Sequence, residues 1–262
     1  MEEQLHIACT AIRQAGQRLM EMLGKAEISQ KGATHNLVTQ ADLEAEKIIT
    51  DLIRSEFPNH KLLLEEGQST GGSTDEHLWI VDPLDATNNF AHGIPHFCVS
   101  IAYALNGEIQ VGAVFDPTRN ELFHATKGSG AFLNDQPMRV TSSTKLEECI
   151  VGTGFYYDRG AMMKKTLDSI HELFSRNIRG IRRMGSAAID LSWVACGRFD
   201  AFFEYKLEPW DYAAGKLLIE EAGGRCTDRV GNPLEIDSRS VIVSNSHVHD
   251  LIFDAVKWSE GA

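Results

Sequence analysis

The sequence has few cysteines, few basic residues and no long apolar run. Its five cysteines are widely spaced over 262 residues and form no CxxC pair, so neither a zinc knuckle nor a thioredoxin-like site is indicated. We interpret them as reduced, mostly buried thiols of a cytoplasmic protein. No apolar stretch approaches the roughly 18 residues of a membrane span. The acidic segment 1–4 also lacks the character of a signal peptide, so we expect no membrane association.

Positive charge is scarce as well. The chain has 25 Lys and Arg residues against 37 Asp and Glu residues, a net charge of −12. A nucleic-acid-binding surface normally shows a basic patch, so we expect no nucleic-acid partner. A small phosphorylated partner is still compatible with this charge, because a bound metal ion can supply the missing positive charge.

Helical and strand patterns alternate along the chain. Apolar residues recur at helical spacing in the segments 5–23, 42–57, 161–174, 186–195, 212–222 and 248–258. Strand-like segments are 78–81, 97–105, 109–115 and 121–126, with the hairpin dipeptide Asn106-Gly107 between the second and third. No repeat or linker divides the chain. We interpret it as two closely packed α/β subdomains, 1–145 and 146–262.

Two carboxylates follow the first apolar strand. Pro83 lies between Asp82 and Asp85 and stiffens the turn, so both side chains can converge on one point. The Leu84 carbonyl adds another oxygen, and carboxylates with carbonyls are the ligands that Mg²⁺ prefers. The alternative is that Asp82 caps a turn and Asp85 caps a helix.

Further acidic residues also lie at the end of an apolar run or at the start of a predicted helix. Glu65 and Glu66 follow a short apolar run, and Asp211 follows Pro209 at the start of a predicted helix. Alternatively, the first pair lies in a solvated loop and Asp211 is a helix N-cap. Taken together, acidic residues at strand ends and helix starts indicate one common site, because surface acids are usually scattered along helix faces.

Small residues follow the second carboxylate of the 82–85 turn. In the segment 85–90 they leave backbone N–H groups accessible at a predicted helix start, which is a ready anion site. The segment 185–188, Gly-Ser-Ala-Ala, could present a second polar edge to a ligand or simply pack closely. Metal-binding carboxylates beside an anion-binding helix end indicate metal-assisted phosphate chemistry. His92 and His96 have the spacing of a zinc pair, but Pro95 breaks a regular helix there.

Four motifs resemble those of the inositol monophosphatase family and occur along the chain in the same order as in that family. Residues 79–90, WIVDPLDATNNF, resemble the family's W-I-[IV]-D-P-[IL]-D-G-T-x-N-F. Residues 209–215 and 221–224 resemble its W-D-x-A-A-G and E-A-G-G. Residues 64–67 resemble the acidic pair before the first motif, and residues 36–42 resemble D-L-V-T-x-x-D. The resemblance runs over nearly the whole chain.

The resemblance implies a fold and an activity. The fold would be α/β, a layered αβαβα sandwich of the inositol monophosphatase and fructose-1,6-bisphosphatase type, usually a homodimer. The activity would be lithium-sensitive, Mg²⁺-dependent hydrolysis of a small phosphate monoester by in-line attack of a metal-activated water. We expect inositol-1-phosphate as the substrate. The alternatives are a fructose-1,6-bisphosphatase, an NADP phosphatase, a phosphoadenosine phosphatase or, from another class, a regulatory or binding protein with weak catalysis.

Matching the motifs position by position implies a role for each site residue. Glu65, Asp82 and the Leu84 carbonyl would hold one Mg²⁺, and Asp82, Asp85 and Asp211 would hold a second, with a third, weaker ion near Glu65. The catalytic residues would be Thr87, supported by Asp42, together with Glu65. The residues that contact the substrate would be Asp85, Ala86, Thr87, Gly185, Ser186, Ala187, Glu204 and Asp211. Among these, the N–H groups of Ala86 and Thr87 would bind the phosphate.

Two positions depart from the motifs of the family. Ala86 stands where glycine is usual, and we expect an ordinary helix-start conformation in which alanine keeps its N–H and costs little. A positive φ at this position would instead cost about 1 kcal/mol or more. Asn36 stands where aspartate is usual, so that position keeps a hydrogen-bonding side chain and loses a charge.

Overall fold

Helices cover two mixed sheets in this fold. A computed structural model describes residues 1–25, 28–30 and 37–258, with side chains described for 1–25 and 40–258. The helices of the described chain are α1 (Glu2–Met22), α2 (Gln40–Glu56), α3 (Thr87–Ala91), α4 (Ala161–Ser175), α5 (Ala187–Ala195), α6 (Pro209–Glu221) and α7 (His249–Val256). A 3₁₀ turn covers Leu146–Glu148. None of these helices is long and apolar enough to cross a bilayer.

A short hairpin and a seven-stranded sheet belong to the first half of the chain. The hairpin pairs β1 (Ile28–Gln30) with β2 (Leu37–Thr39). The sheet follows chain order, with β3 (Lys61–Leu64), β4 (His77–Asp85), β5 (Cys98–Leu105), β6 (Glu108–Asp116), β7 (Glu121–Thr126), β8 (Ala131–Leu133) and β9 (Gln136–Met138). β3 and β4 run parallel, and every later neighbouring pair is antiparallel. Asn106 and Gly107 both have positive φ, so the predicted hairpin is confirmed.

The second half of the chain forms a five-stranded sheet. Its strands are β10 (Ile150–Thr153), β11 (Gly180–Arg182), β12 (Ala201–Glu204), β13 (Gly224–Thr227) and β14 (Val241–Asn245), in the order β11-β10-β12-β14-β13. β10 runs parallel to β11 and β12, and β14 runs antiparallel to β12 and β13. The sequence analysis assigned no individual strand after residue 126. β12 and β14 are short and buried along their whole length, so no polar–apolar alternation marks them.

Alternating side chains of the first sheet face two different helical layers. Trp79 and Val81 pack with α1 and α2, whereas Ile80 and Ala102 pack with α5 and α6, because successive strand residues point to opposite faces. α5 and α6 also cover the second sheet through residues such as Phe202. The opposite face of that sheet packs on α4 and α7. The predicted αβαβα sandwich is therefore confirmed.

Two glycines allow α6 to lie close to its neighbours. A Cβ placed on Gly112 of β6 would lie 2.8 Å from the carbonyl oxygen of Ala214 in α6. A Cβ on Gly215 of α6 would lie 2.6 Å from Cβ of Leu191 in α5. Larger residues would push these elements apart. The close packing holds α6 beside the first sheet, and its first turn carries Asp211.

Two predicted boundaries were wrong. α6 begins at Pro209 and not at residue 212, because proline suits the first position of a helix. β4 continues to Asp85 instead of ending at residue 81. The proposed division into 1–145 and 146–262 falls between the two sheets and stays a prediction, since α5 and α6 pack against both sheets.

Candidate active site

A bulge at the end of β4 places Asp82 and Asp85 on one face of the sheet. Asp82 pairs with Ser100 of β5 and Asp85 pairs with Cys98, so three steps along β4 oppose two steps along β5. Residues three apart in a regular strand point to opposite faces, and the extra residue of the bulge cancels that difference. Pro83 is tolerated because it lies in the bulge. The pair of acids therefore belongs to a bulged strand and not to a separate turn.

Asp85 is held by the start of α5. Its Oδ2 accepts hydrogen bonds from Ser186 Oγ at 2.6 Å and from the Ala188 N–H at 2.8 Å. Ser186 is also the N-cap of α5 and accepts from the Ile189 N–H at 3.2 Å. A serine before an apolar helix signals a cap, but nothing local in the sequence signals its contact with Asp85, so this role of Ser186 was missed. Because Ser186 is fully buried, we assign its hydroxyl to positioning Asp85.

Asp211 lies in the first turn of α6. Glu208 is the N-cap of this helix, and its N–H donates to Asp211 Oδ2 at 2.7 Å in a capping box. The alternative that Asp211 is itself the N-cap is therefore wrong. Oxygens of Asp82, Asp85 and Asp211 all lie within 4.8 Å of one another. The structure thus brings together carboxylates from β4 and α6 that are more than 120 residues apart in sequence.

Glu65, the residue directly after β3, joins this cluster. β3 runs parallel to β4, so the two strands end at the same edge of the sheet, and the Glu65 N–H donates to the Val81 carbonyl at 3.3 Å. The Glu65 carboxyl forms a hydrogen bond with Asp82. The next residue, Glu66, donates its N–H to Glu46 Oε2 of α2 at 3.0 Å. Glu46 therefore anchors the acidic loop, a contact that the sequence analysis missed.

Burial and mutual repulsion raise the pKa values of the clustered carboxyls. Burial is the largest cause for Asp82, and the charges of the three neighbouring carboxylates add to it, so its pKa lies well above its ordinary value. The pKa of Asp211 is raised for the same reasons. Burial also raises the pKa of Asp85, whereas its hydrogen bonds to α5 lower it. In the described part of the chain, no ion pair involves these three carboxylates.

This donor set fits Mg²⁺. Carboxylate oxygens with a backbone carbonyl, such as that of Leu84, are hard oxygen ligands of the kind that Mg²⁺ selects. The repulsion among the Asp82, Asp85 and Asp211 carboxylates is the charge that a divalent cation would neutralise. Three of the residues predicted as metal ligands, Asp82, Asp85 and Asp211, therefore lie close enough to share a cation, and ligation by Glu65 and the Leu84 carbonyl stays a prediction.

The predicted contact between Thr87 and Asp42 is present. Thr87 Oγ1 donates to Asp42 Oδ1 at 2.9 Å, and it lies 3.2 Å from the Leu84 carbonyl oxygen. Asp42 is fully buried in the first turn of α2. The hydroxyl of Thr87 therefore has a fixed direction beside the acidic cluster, as a water-positioning group needs.

The backbone conformation of Ala86 differs from the one predicted from the sequence. Its backbone angles are φ 76° and ψ 49°, in the left-handed region, where it forms the N-cap of α3. The prediction of an ordinary helix-start conformation is therefore wrong, and the strained alternative applies. The Ala86 N–H also donates to the Asp85 carboxylate, and binding of phosphate by the N–H groups of Ala86 and Thr87 stays a prediction. Asn36, the other departure, lies outside the described residues.

Glu204 and the segment 185–187 lie beside the cluster. Burial raises the pKa of Glu204 to about 8, although the nearby Arg183 guanidinium opposes the shift. A Cβ on Gly154 would lie 1.9 Å from Glu204 Oε2, so the backbone of residue 154 packs directly on this carboxyl. Gly185 has φ +103°, which disfavours any other residue there. Contact of these residues and Ala187 with the substrate stays a prediction.

The zinc alternative does not fit. His92 is exposed, with Nδ1 2.8 Å from the Asn88 carbonyl oxygen. His96 is buried and points to Asp190 of α5. The two imidazoles thus lie in different surroundings, as the break at Pro95 indicated.

Comparison with known proteins assigns the chain to a family. The sequence model of the inositol monophosphatase family matches residues 1–259. An inositol-1-monophosphatase of Rhizobium meliloti (strain 1021) is 41% identical over 257 residues, which cover 97% of this chain and 96% of the relative. The Nus factor SuhB of Escherichia coli (strain K12) is 40% identical over 251 residues, 95% of this chain and 93% of the relative. A fructose-1,6-bisphosphatase/inositol-1-monophosphatase of Thermotoga maritima is 38% identical over 255 residues, 97% and 96% respectively.

Solved structures agree with this assignment. The extragenic suppressor protein suhB from Bartonella henselae superposes with a TM-score of 0.92 at 38% identity, covering 99% of this chain and all of the other. An IMPase/NADP phosphatase complexed with Mg²⁺ and phosphate has a TM-score of 0.87 at 26% identity, with 99% and 97% covered. The fold and the acidic site thus define a layered α/β phosphatase of the metal-dependent kind. The chain belongs to the inositol monophosphatase family.

Proposed function

We propose that this chain hydrolyses small phosphate monoesters with Mg²⁺, and that inositol-1-phosphate is its substrate. The observation that carries the proposal is the set of Asp82, Asp85 and Asp211 oxygens within 4.8 Å of one another, beside the fixed hydroxyl of Thr87. One relative bears the name inositol-1-monophosphatase. Another bears a double name with fructose-1,6-bisphosphatase, so that activity is the first competitor.

We assign two cations to five groups at the edge of the first sheet. Glu65, Asp82 and the Leu84 carbonyl would hold one Mg²⁺, and Asp82, Asp85 and Asp211 would hold a second. When bound, Mg²⁺ supplies positive charge for the phosphoryl oxygens and for the attacking and leaving groups. It also allows an acidic protein to hold an anionic substrate. Lithium sensitivity belongs to the same proposal.

We assign the orientation of the attacking water to Thr87 and Asp42. The Thr87 hydroxyl donates a hydrogen bond to Asp42 Oδ1 at 2.9 Å, so a lone pair of the hydroxyl oxygen is left to accept a hydrogen bond from water. The pair therefore has the form of a base with its orienting group, with Glu65 next to the same water. The Thr87 N–H would bind the phosphate, and the Asp85 carboxylate would fix the loop that carries it.

We assign binding of the leaving alcohol to residues at the start of α5 and at the end of β12. Gly185, Ala187 and the Glu204 carboxyl would contact the alcohol there, and Asp211 would reach it from α6. Because the pKa of Glu204 is about 8, this carboxyl is mostly protonated at neutral pH in the cation-free protein and can donate a hydrogen bond to a hydroxyl. Polyol phosphates supply such hydroxyls.

A substrate panel with matched variants tests the proposal. Phosphate release is measured with inositol-1-phosphate, fructose-1,6-bisphosphate, NADP and phosphoadenosine phosphate, with and without Mg²⁺. Asp82→Asn should lower kcat by orders of magnitude, because it removes a ligand of the cation. Asp51→Asn is the matched control, since Asp51 is exposed and pairs with Lys47. Near-normal turnover by Asp82→Asn at saturating Mg²⁺ would contradict the metal assignment.

The same substrate panel distinguishes an enzyme from a regulatory or binding protein with weak catalysis. A relative is named a Nus factor, and a regulatory role would leave turnover negligible on every substrate even with Mg²⁺ present. We also propose that the protein is cytoplasmic and forms a homodimer. Light scattering of the purified protein tests the dimer. A monomeric mass at micromolar concentration would contradict the dimer.

A further inference from the structure

A buried His–Asp pair lies behind the candidate active site. His96 and Asp190 are 2% and 1% exposed, and His96 Nε2 lies 3.4 Å from Asp190 Oδ1. Among the described residues, neither ring nitrogen of His96 nor Oδ1 of Asp190 makes a hydrogen bond of good geometry. Burying such groups is costly unless they act on each other. The burial of this pair therefore indicates a role other than stabilising the fold.

Asp190 belongs to the helix that holds Asp85. It lies one turn after Ser186 in α5, and its N–H donates to the Ser186 carbonyl at 3.0 Å. Ser186 and Ala188, on the same turn, supply the two short hydrogen bonds to Asp85 Oδ2. Movement of this turn would therefore change the direction of the Asp85 carboxylate.

His96 belongs to the segment between α3 and β5. Its carbonyl accepts from Asn89 Nδ2 at 2.7 Å, and the same amide donates to the Met184 carbonyl at 3.0 Å. Asn89 thus links the carbonyl of His96 to that of Met184, which lies just before α5, and the His96–Asp190 pair links His96 to α5 itself. These two links restrict movement of the start of α5 relative to His96.

Trp193 closes the outer side of the pair. Its ring meets the His96 ring edge-on, with centroids 5.2 Å apart. The Arg119 and Arg198 guanidinium groups lie over the Trp193 ring at 5.2 and 5.4 Å. Together with the burial of both side chains, this ring keeps water from the pair, so a polar contact between His96 and Asp190 is stronger than it would be at the surface.

We propose that His96 and Asp190 are positioning residues that fix the first turn of α5, and through it the Asp85 carboxylate, so that Mg²⁺ binds tightly. This inference rests on the proposed function only in taking Asp85 as a cation ligand. Groups that orient metal ligands typically change metal affinity about 10–100-fold when they are removed. Neither residue contacts the cation or the substrate in this assignment.

Calorimetric titration of the whole protein with Mg²⁺ alone tests the proposal. His96→Phe should weaken Mg²⁺ binding about 10-fold, while kcat at saturating Mg²⁺ changes less than the half-saturating concentration. His96→Gln should recover part of the affinity, because its amide can still donate to Asp190. His124→Gln is the matched control: His124 also lies 3.4 Å from an aspartate, Asp135, but that aspartate is highly exposed.

A double variant separates positioning from stability. His96→Phe leaves a buried carboxylate without its partner and lowers the melting temperature. The variant with both His96→Phe and Asp190→Leu removes that charge, so its melting temperature should recover while Mg²⁺ affinity stays low. If affinity recovers together with melting temperature, or if no variant differs from the control, the positioning role is wrong. A separate result tests the assignment of Mg²⁺ to the acidic cluster: if Asp82→Asn binds Mg²⁺ with the affinity of the wild type, that assignment is wrong.

Discussion

At the scale of single residues, Ala86 is the most informative departure from the family's motifs. Its φ of 76° places an alanine in the region that glycine occupies without strain. The neighbouring residues carry the site: Asp85 lies in the acidic cluster and Thr87 contacts Asp42. The left-handed step turns the chain from β4 into α3, so the strain is located at the turn that the site needs.

Ala86→Gly should therefore stabilise the protein. We expect the free energy of unfolding to rise by about 0.5–1 kcal/mol, because the left-handed conformation costs glycine least. Urea unfolding checks this. Ala11→Gly, in the interior of α1, is the control and should lower stability by about 1 kcal/mol or more. An unchanged or lowered stability of Ala86→Gly would show that the strain is not significant.

Thr87 allows a test of chemistry against structure. Thr87→Ala keeps the backbone N–H and all metal carboxylates, so substrate affinity should change little while kcat falls roughly 10²–10⁴-fold, the usual contribution of positioned proton transfer. Thr87→Ser keeps the hydroxyl and should retain much of the rate. Measurements of kcat, substrate Kd and melting temperature for both variants decide the question. Early melting with normal turnover would assign Thr87 a purely structural role.

At the scale of elements, the site depends on how strands and helices end. The parallel pair β3 and β4 ends at one edge of the sheet, the bulge in β4 aligns Asp82 with Asp85, and the first turn of α6 adds Asp211. A single element supplies at most two of these carboxylates. The site therefore exists only when the first sheet and the central helical layer are packed together.

The junction of α7 with the second sheet contains a group that titrates on unfolding. His249 is 1% exposed, with Nδ1 2.9 Å from Ser244 Oγ and Nε2 3.1 Å from Thr227 Oγ1. Burial lowers its pKa to about 4, against roughly 6.5 in the unfolded chain. Between these values the unfolded chain takes up a proton and the folded chain does not, so stability falls as pH falls from about 6.5 to about 4.

His249→Gln should flatten this pH dependence. From pH 7 to pH 5, wild type should lose about 2 kcal/mol through this group, and the variant should lack that loss. Urea unfolding at the two pH values measures the difference. His171→Gln, at an exposed position on α4, is the control and should keep the slope of the wild type. Equal slopes for all three proteins would contradict the assignment to His249.

At the scale of the whole molecule, the acidic cluster costs stability in the cation-free protein. Several buried carboxylates repel one another at one point, and their raised pKa values express that cost. The cluster joins the first sheet to the central layer. A ligand that neutralises it should therefore stabilise the packing of the whole chain.

Mg²⁺ should raise the melting temperature. At 100 times its Kd, a single bound ion contributes about 2.7 kcal/mol, which corresponds to a shift of several degrees for a chain of this size. Asp82→Asn should abolish most of the shift, whereas the cation-free variant should melt no lower than wild type, because one repelling charge is gone. Scanning calorimetry with and without Mg²⁺ measures both. A shift that persists in Asp82→Asn would place the cation elsewhere.

Sequence alone determined the layered fold class, most of the helices, the four strands β4 to β7 of the first sheet and the acidic residues of the candidate site. It did so because periodicity and turn residues are local, and because four motifs occur in order along the chain. Tertiary structure alone decided the second sheet, whose short buried strands carry no alternation, and the left-handed conformation of Ala86. It also decided the contacts of Ser186 with Asp85 and of His96 with Asp190, since these join residues about 100 positions apart and depend on how α5 packs between the two sheets.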